Sequence, residues 1–365
     1  MLEKQAPGES VRTEDAGLPG VRPIRLGSVV VVDPALVQAP LLDYTNYFYR
    51  TLLRSFGGVG LTTTELVHAR GLVEQWERTG EVPLQLWGVE REPGPVAIQL
   101  WDRDPSWLQR AVRLVIDRFH PAVIDLNFGC PSYQVSVCSE GGAGLLKHPE
   151  RIGELVAAAV EAAGGVPITA KIRLGWDPSA NVAGKVAEIV EAAGAAGITV
   201  HGRFATQKMA GKADWQAIAA VREHLRTIPL IGNGDITTAQ AAVEAFCRWK
   251  VDGVMIGRAA VSRPWIFREI VALISGRPVP PPPSAEEERD ILLTHVDRLA
   301  AELPSRTALI LAQKYACRLG IGRAGASRYR LAVCQARSLQ ELRQAIRHYF
   351  PLAPAGRKLV SFPSQ

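Results

Sequence analysis

Two cysteines, Cys130 and Cys138, stand eight residues apart in the glycine-rich stretch NFGCPSYQVSVCSEGG, and the first directly precedes a proline. Such a loop could hold a redox pair, a metal ligand set, one working thiol beside a bystander, or packing alone. The chain has five cysteines in all, with Cys247, Cys317 and Cys334 far off, and contains no C-x-x-C. An odd, scattered set argues against a disulfide framework or a zinc cluster and points to reduced thiols in the cytoplasm. Cys247, Cys317 and Cys334 fall on helical patterns and read as buried, inert thiols.

A second concentration of chemistry lies near residues 231–260. IGNGDITT supplies Asn233, Gly234 and Asp235, and MIGRAA supplies Gly257 and Arg258. Glycines let backbone N–H groups approach an anion and an arginine adds a charge-assisted contact, so the pair predicts a phosphate site. Lys171, in PITAKIR, ends an apolar run where a cation needs an anionic or electron-rich partner. The N1–C2=O edge of a reduced flavin is such a partner, with His201 in support and Gln99 able to bond the pyrimidine edge. His201 alone reads equally well as a satisfied core residue.

These residues need a frame that brings them together. Short apolar runs recur at Leu36–Ala39, Val59–Thr63, Val96–Leu100, Val123–Leu126, Pro167–Ile172, Gly197–Val200, Pro229–Ile231 and Gly253–Ile256. Amphipathic stretches such as PSWLQRAVRLVIDRF and PERIGELVAAAVEAAG lie between them. Eight such units predict an α/β chain, a (β/α)8 TIM barrel, and no G-x-G-x-x-G follows the first run as a doubly wound sheet would favour. In that architecture the site lies at the strands' C-terminal ends. The residues just past the runs are polar there: Asp43, Glu65, Gln99, Asn127, Cys130, Lys171, Arg173, His201, Arg203, Asn233, Asp235 and Arg258.

The remaining chain is organised around that barrel. Residues 1–22 are poor in large apolar groups and read as a flexible extension, 23–275 as the barrel, and 276–284, GRPVPPPPS, as a stiff linker. Residues 285–352 read as a small all-helical domain and 353–365 as a flexible tail. With 42 Lys and Arg against 36 Asp and Glu, the net charge of +6 permits a polyanionic partner. Lys314, Arg318, Arg323, Arg328 and Arg330 cluster in the helical part, where phosphate binding or an ordinary solvated helix face would explain them. No apolar run is long enough to span a membrane and the first residues lack a signal-peptide core.

The stretches QAPLLDYTNYFYR, TTTELVHARGL, AIQLWDRDP, DLNFGCPSYQV, ITAKIRLGWD, ITVHGRFATQKMAGKADWQAI, IPLIGNGDI and VDGVMIGRAAVSRPWIF resemble, in order, the motifs of the tRNA-dihydrouridine synthases. The likeness runs from about residue 36 to 268 and is weaker in the helical part. It implies an FMN enzyme, reduced by NADPH, that converts particular uridines of tRNA to 5,6-dihydrouridine. It further implies that Pro40, Leu41 and Leu42 lie against the flavin, that Gln99, Lys171 and His201 bind its ring, and that Asn233, Gly234, Asp235, Gly257 and Arg258 hold its phosphate. Cys130 would be the proton donor at C5 once hydride has reached C6, a role that suits a thiol of ordinary pKa ~8.5. Asn127 would orient the base, with Arg203, Lys314 and Arg318 contacting RNA around a flipped-out nucleotide.

The expected partners thus include no metal and no membrane, and the chain is expected to be a monomer. On this resemblance, Cys138 becomes a bystander. The chain departs from the family pattern at Tyr133, Gln134, Ala205, Met209 and Gln313. An FMN barrel acting on a small pyrimidine, of the dihydroorotate or dihydropyrimidine dehydrogenase type, would share the phosphate site and the lysine but leave the basic appendage unexplained. A tRNA-binding protein without turnover would have no use for Cys130, Lys171 and His201 together.

Overall fold

The computed structural model describes residues 21–319 and 325–350. The expected loose ends up to residue 20 and from 351, and Arg323, lie outside these residues. Strands β1 (Ile24–Leu26) and β2 (Val30–Val32) form an antiparallel ribbon. The strands that follow are β3 (Leu36–Gln38), β4 (Thr62–Thr63), β5 (Val67–His68), β6 (Val96–Trp101), β7 (Val123–Phe128), β8 (Ile168–Arg173), β9 (Gly197–His201), β10 (Leu230–Asn233) and β11 (Gly253–Ile256). The helices are α1 (Tyr47–Ser55), α2 (Ala69–Thr79), α3 (Pro105–Phe119), α4 (Pro149–Ala162), α5 (Ala183–Ala192), α6 (Trp215–Ala220), α7 (Ala239–Cys247), α8 (Arg258–Ser262), α9 (Ile266–Ile274), α10 (Ala285–Glu302), α11 (Ser305–Leu319), α12 (Ala326–Gln335) and α13 (Leu339–Tyr349).

Parallel pairing runs β3-β11-β10-β9-β8-β7-β6-β4, and a parallel bridge between Val37 and Leu61 joins the two ends. This is the (β/α)8 barrel that the eight apolar runs predict. The second run is the least regular. Gly60 lies so close to the Pro34 carbonyl that a Cβ there would sit 2.1 Å from it, so the chain bends before β4 and pairing with β6 resumes at β5.

Burial explains why the runs are strands. The residues of β6, β7 and β9 are buried almost throughout, as parallel strands covered by helices must be. Helix α3 starts with Asp104 accepting from the Ser106 N–H and Pro105 behind it, and packs Leu108, Val112 and Val115 inward. The ribbon closes the N-terminal end of the barrel: a Cβ on Gly197 would meet Leu26, and one on Gly253 would meet Ile24.

Beyond the proline-rich stretch, α10 opens on a capping box between Ser284 and Glu287. Helices α10 to α13 bury Leu299, Tyr315, Tyr329, Val333, Leu342 and Ile346. Gln313 spends its amide on the Val333 and Ala336 carbonyls at the end of α12, a packing role for this departure from the family pattern. Among the described residues no helix is long and apolar enough to cross a membrane.

Candidate active site

All barrel strands run the same way, so their last residues gather at one end. There β10 hands over to Asn233, Gly234 and Asp235, with Gly234 at φ +131°. A Cβ on Gly234 would lie 2.6 Å from Ala213 Cβ and 3.1 Å from His201 Cδ2, so glycine alone lets the turn pass His201. Trp215 Nε1 donates to the Gly234 carbonyl at 3.0 Å and fixes the turn from behind. Gly257 leads into α8, and its Cα side lies against Leu41, whose Cδ atoms are 3.8 Å from where a Cβ would be.

The carboxylate of Asp235 accepts from Arg203 at 2.8 and 3.0 Å, from Arg258 at 3.1 Å and from the Ala213 N–H at 2.8 Å. It therefore holds two guanidinium groups rather than facing an anion itself. Arg203, expected at the RNA surface, is 2% exposed and also donates to the Ala210 and Gly211 carbonyls. It is an internal strut, because a motif places a residue on a loop without saying which way its side chain folds.

Lys171 Nζ donates to Asn233 Oδ1 at 3.0 Å, and Asn233 Nδ2 donates to the Met255 carbonyl at 2.9 Å. Burial, aided by the charge of Arg173, lowers the Lys171 ammonium to about 8. Burial and the cations Arg173, Lys171, Arg203 and Arg258 hold His201 well below its usual range, so its imidazole is neutral. Its Nε2 lies 3.3 Å from Arg203 Nη1; since arginine only donates, Nε2 accepts and the ring proton sits on Nδ1.

The thiol side is built from β7. Asn127 Oδ1 accepts from the N–H groups of Gly129 at 3.2 Å and Cys130 at 2.9 Å, which curls the chain directly after the strand. Arg173 Nε donates to the Gly129 carbonyl at 2.9 Å, and the Ala143 N–H donates to the Cys130 carbonyl at 3.0 Å. The partly buried Cys130 Sγ lies 3.4 Å from Ser132 Oγ and within electrostatic reach of Lys171 and Arg173. Cys138 is exposed on the π-helical turn Gln134–Cys138, and all five cysteines are free thiols. Tyr133, just before that turn, is 71% exposed, whereas Ala205 is buried.

Pro40 and Leu41 are partly buried and Leu42 is exposed on the loop after β3. The next residue, Asp43, is left-handed at φ +70° and is gripped at both ends. Its N–H donates to Glu65 Oε2 at 2.8 Å, and its carboxylate pairs with Lys314 of α11 at 2.8 Å. Arg318 Nε donates to Tyr44 Oη at 2.8 Å beside it. The two cations that the sequence assigned to RNA thus also tie the helical part to this loop.

Gln99 and Asn127 lead by hydrogen bonds to the Cys130 turn, Lys171 binds Asn233 and lies within electrostatic reach of Cys130, and Asp235 joins Arg203 and Arg258 next to Gly234 and His201. Asp125 and Gln38 are polar groups that sequence reasoning missed, and Glu65 was expected among the strand-end residues without a role. Asp125 is 3% exposed, and burial raises its carboxyl to about 6 against hydrogen bonds from Thr169 and Gln99. An aspartate inside the apolar run VIDLNF was the signal that could have found it. Glu65 is raised to about 7, chiefly by burial. Gln38 accepts from the Thr63 N–H at 3.0 Å and donates to the Ala39 carbonyl, joining the first two barrel units. Cys247 and Cys334 are exposed rather than buried, since a helical period does not say which face a terminal cysteine takes. Among the described residues no cluster of three His, Cys, Asp or Glu could hold a metal.

Lys171 and Arg173 near Cys130, with Arg203 and Arg258 paired to Asp235 beside a glycine turn that a Cβ would block, make a cationic setting that suits a ligand carrying a phosphate and an electron-rich ring edge. The family model described as dihydrouridine synthase matches residues 37–352. A probable tRNA-dihydrouridine synthase of Mycobacterium tuberculosis is 37% identical over 287 residues, 76% of this chain and 72% of that protein. tRNA-dihydrouridine synthase B of Xanthomonas axonopodis pv. citri is 33% identical over 78% of this chain and 83% of its own length. Among solved structures, histamine dehydrogenase from Rhizobium sp. 4-9 superposes with a TM-score of 0.53 at 15% identity, over 76% of this chain and 50% of that one, a likeness of fold alone.

Proposed function

The chain belongs to the dihydrouridine synthase family, and from that premise we propose that it reduces the C5=C6 bond of particular uridines in tRNA, with FMN bound and NADPH as reductant. The observation that carries the reading is the pairing of two things in one barrel mouth. A thiol is fixed on the Asn127 turn, and cations with a glycine turn stand at the same strand ends.

The residues present fit FMN. Backbone at Gly234 and Gly257, with Arg258 braced by Asp235, would hold its phosphate, and Pro40, Leu41 and Leu42 would line the ring. Lys171, drawn down to about 8 yet held to Asn233, and neutral His201 with its proton on Nδ1 would face the ring edge that gains negative charge. Gln99, fully buried with its oxygen bonded to Asn127 and one N–H to Asp125, would have only its second N–H left for the pyrimidine edge. When bound and reduced, FMN supplies the hydride for C6 of uracil. Cys130 then gives its proton to C5, where the enolate-like charge collapses, and Asn127 holds that thiol in place. Lys314 and Arg318 contact RNA near Tyr44 while bracing the helical part, and the exposed Tyr133 meets the nucleotides beside the flipped uridine.

The test is direct. The purified protein should be yellow, NADPH should bleach it without air, and unmodified tRNA should then gain dihydrouridine at mapped positions. A colourless protein that FMN cannot reconstitute overturns the proposal.

A further inference from the structure

We propose that Asp125 is a positioning residue that sets the direction of two amide side chains running from the cofactor side of the barrel to the Cys130 turn; this rests on the roles given above to Gln99 and Cys130. Strand register puts Gln99, Asp125 and Thr169 side by side on β6, β7 and β8. Thr169 Oγ1 donates to Asp125 Oδ1 at 2.7 Å, and Gln99 Nε2 donates to Asp125 Oδ2 at 2.7 Å. An ionised carboxylate can only accept, so Gln99 must turn its NH2 toward Asp125 and its oxygen away.

That oxygen accepts from Asn127 Nδ2 at 2.8 Å. Asn127 is thereby left with its own oxygen toward the N–H groups of Gly129 and Cys130. Backbone N–H groups only donate. The chain of amides therefore has an obligate acceptor at one end and obligate donors at the other, and only one polarity satisfies both. Reversing either amide would set oxygen against oxygen or N–H against N–H among groups of which Gln99 is 0% and Asn127 7% exposed. Asp125 itself is too deep to be a proton donor to substrate. It acts through Gln99 and Asn127, which makes the pyrimidine-edge contact and the thiol turn parts of one unit.

The experiment compares Asp125→Leu, which removes the acceptor, with Asp125→Asn, whose carbonyl can still face Gln99 while its NH2 donates to Thr169 Oγ1. Two readouts are taken. One is single-turnover reoxidation of the NADPH-reduced enzyme by unmodified tRNA, with tRNA affinity measured separately. The other is the iodoacetamide alkylation rate of Cys130 relative to Cys138 in the protein without cofactor. The loss of a buried charge-assisted bond predicts that Asp125→Leu slows reoxidation at saturating tRNA by about tenfold or more, with tRNA affinity changed less than about threefold. The Cys130-to-Cys138 alkylation ratio should shift with it, while Asp125→Asn stays within about fivefold of wild type in both readouts.

Wild-type turnover and an unchanged alkylation ratio in Asp125→Leu would overturn the proposal. So would an Asp125→Asn enzyme slowed by about tenfold or more, and that outcome can be read even where the leucine variant does not fold. A wild-type protein that binds no FMN and leaves tRNA unreduced contradicts the functional reading instead, and the alkylation ratios still decide on Asp125.

Discussion

Burial decides the charge state of the side chains around the barrel mouth more than pairing does, and Glu65 shows it best. Its carboxyl is raised from the usual 4.5 to about 7 by burial, so between those values the folded chain holds a proton that the unfolded chain has lost. Stability from this group is therefore lost as pH rises from 4.5 through 7. Glu65→Gln keeps an oxygen for the Asp43 N–H and removes the buried charge, which should stabilise the cofactor-free protein by roughly 1–3 kcal/mol at pH 8. Denaturant unfolding checks this, and the gain should shrink toward zero near pH 4.5. Cys317 is the thiol counterpart: burial, with Cys334 3.7 Å away, pushes it up to about 12. Iodoacetamide at pH 8 should therefore modify the exposed Cys334 well before Cys317. That Cys130, Lys171 and Asn233 stand at the strand ends was legible in the sequence, because a polar residue at or just past the end of an apolar run has few other places to go. Asp125 was not, because its role depends on which residues of β6 and β8 lie opposite it, and register is not written in any one strand.

At the scale of elements, the helices after the proline-rich stretch are held on by short polar ties: Lys314 to Asp43, Arg318 to Tyr44, Arg298 to Thr51 at 2.8 Å and Arg91 to Glu302 at 2.9 Å. The Lys314–Asp43 pair is substantially exposed, so Lys314→Met should cost under about 1 kcal/mol in global stability. It should instead raise amide exchange across residues 40–45, where Asp43 keeps its left-handed turn with one grip fewer. Hydrogen–deuterium exchange reads this out, and an unchanged loop would show that the tie carries no strain. Ser284→Ala removes the cap of α10 and should cost about 1 kcal/mol, measured by thermal unfolding. The eight barrel units were legible because strand and helix periods alternate so regularly. The β1–β2 ribbon and β5 were not, since three-residue and two-residue strands leave no period to detect.

For the molecule as a whole, a net charge of +6 with Arg328 and Arg330 exposed on α12 makes tRNA binding a counterion-release process. Affinity for unmodified tRNA should fall steeply with salt, and Arg328→Ala with Arg330→Ala should flatten that slope while leaving FMN affinity within about twofold. Composition made a polyanionic partner legible only as a permission, and Lys314 and Arg318, tied to the loop after β3, are basic residues of the helical part that reach the barrel. Proton transfer from Cys130 completes the proposed reduction of uridine at a bound flavin. Its most direct test is anaerobic single-turnover reaction of NADPH-reduced enzyme with unmodified tRNA, comparing wild type with Cys130→Ala. Flavin loading and bleaching should be unchanged in the variant, and dihydrouridine formation slowed by about 10²-fold or more. Wild-type dihydrouridine formation by Cys130→Ala would contradict the claim.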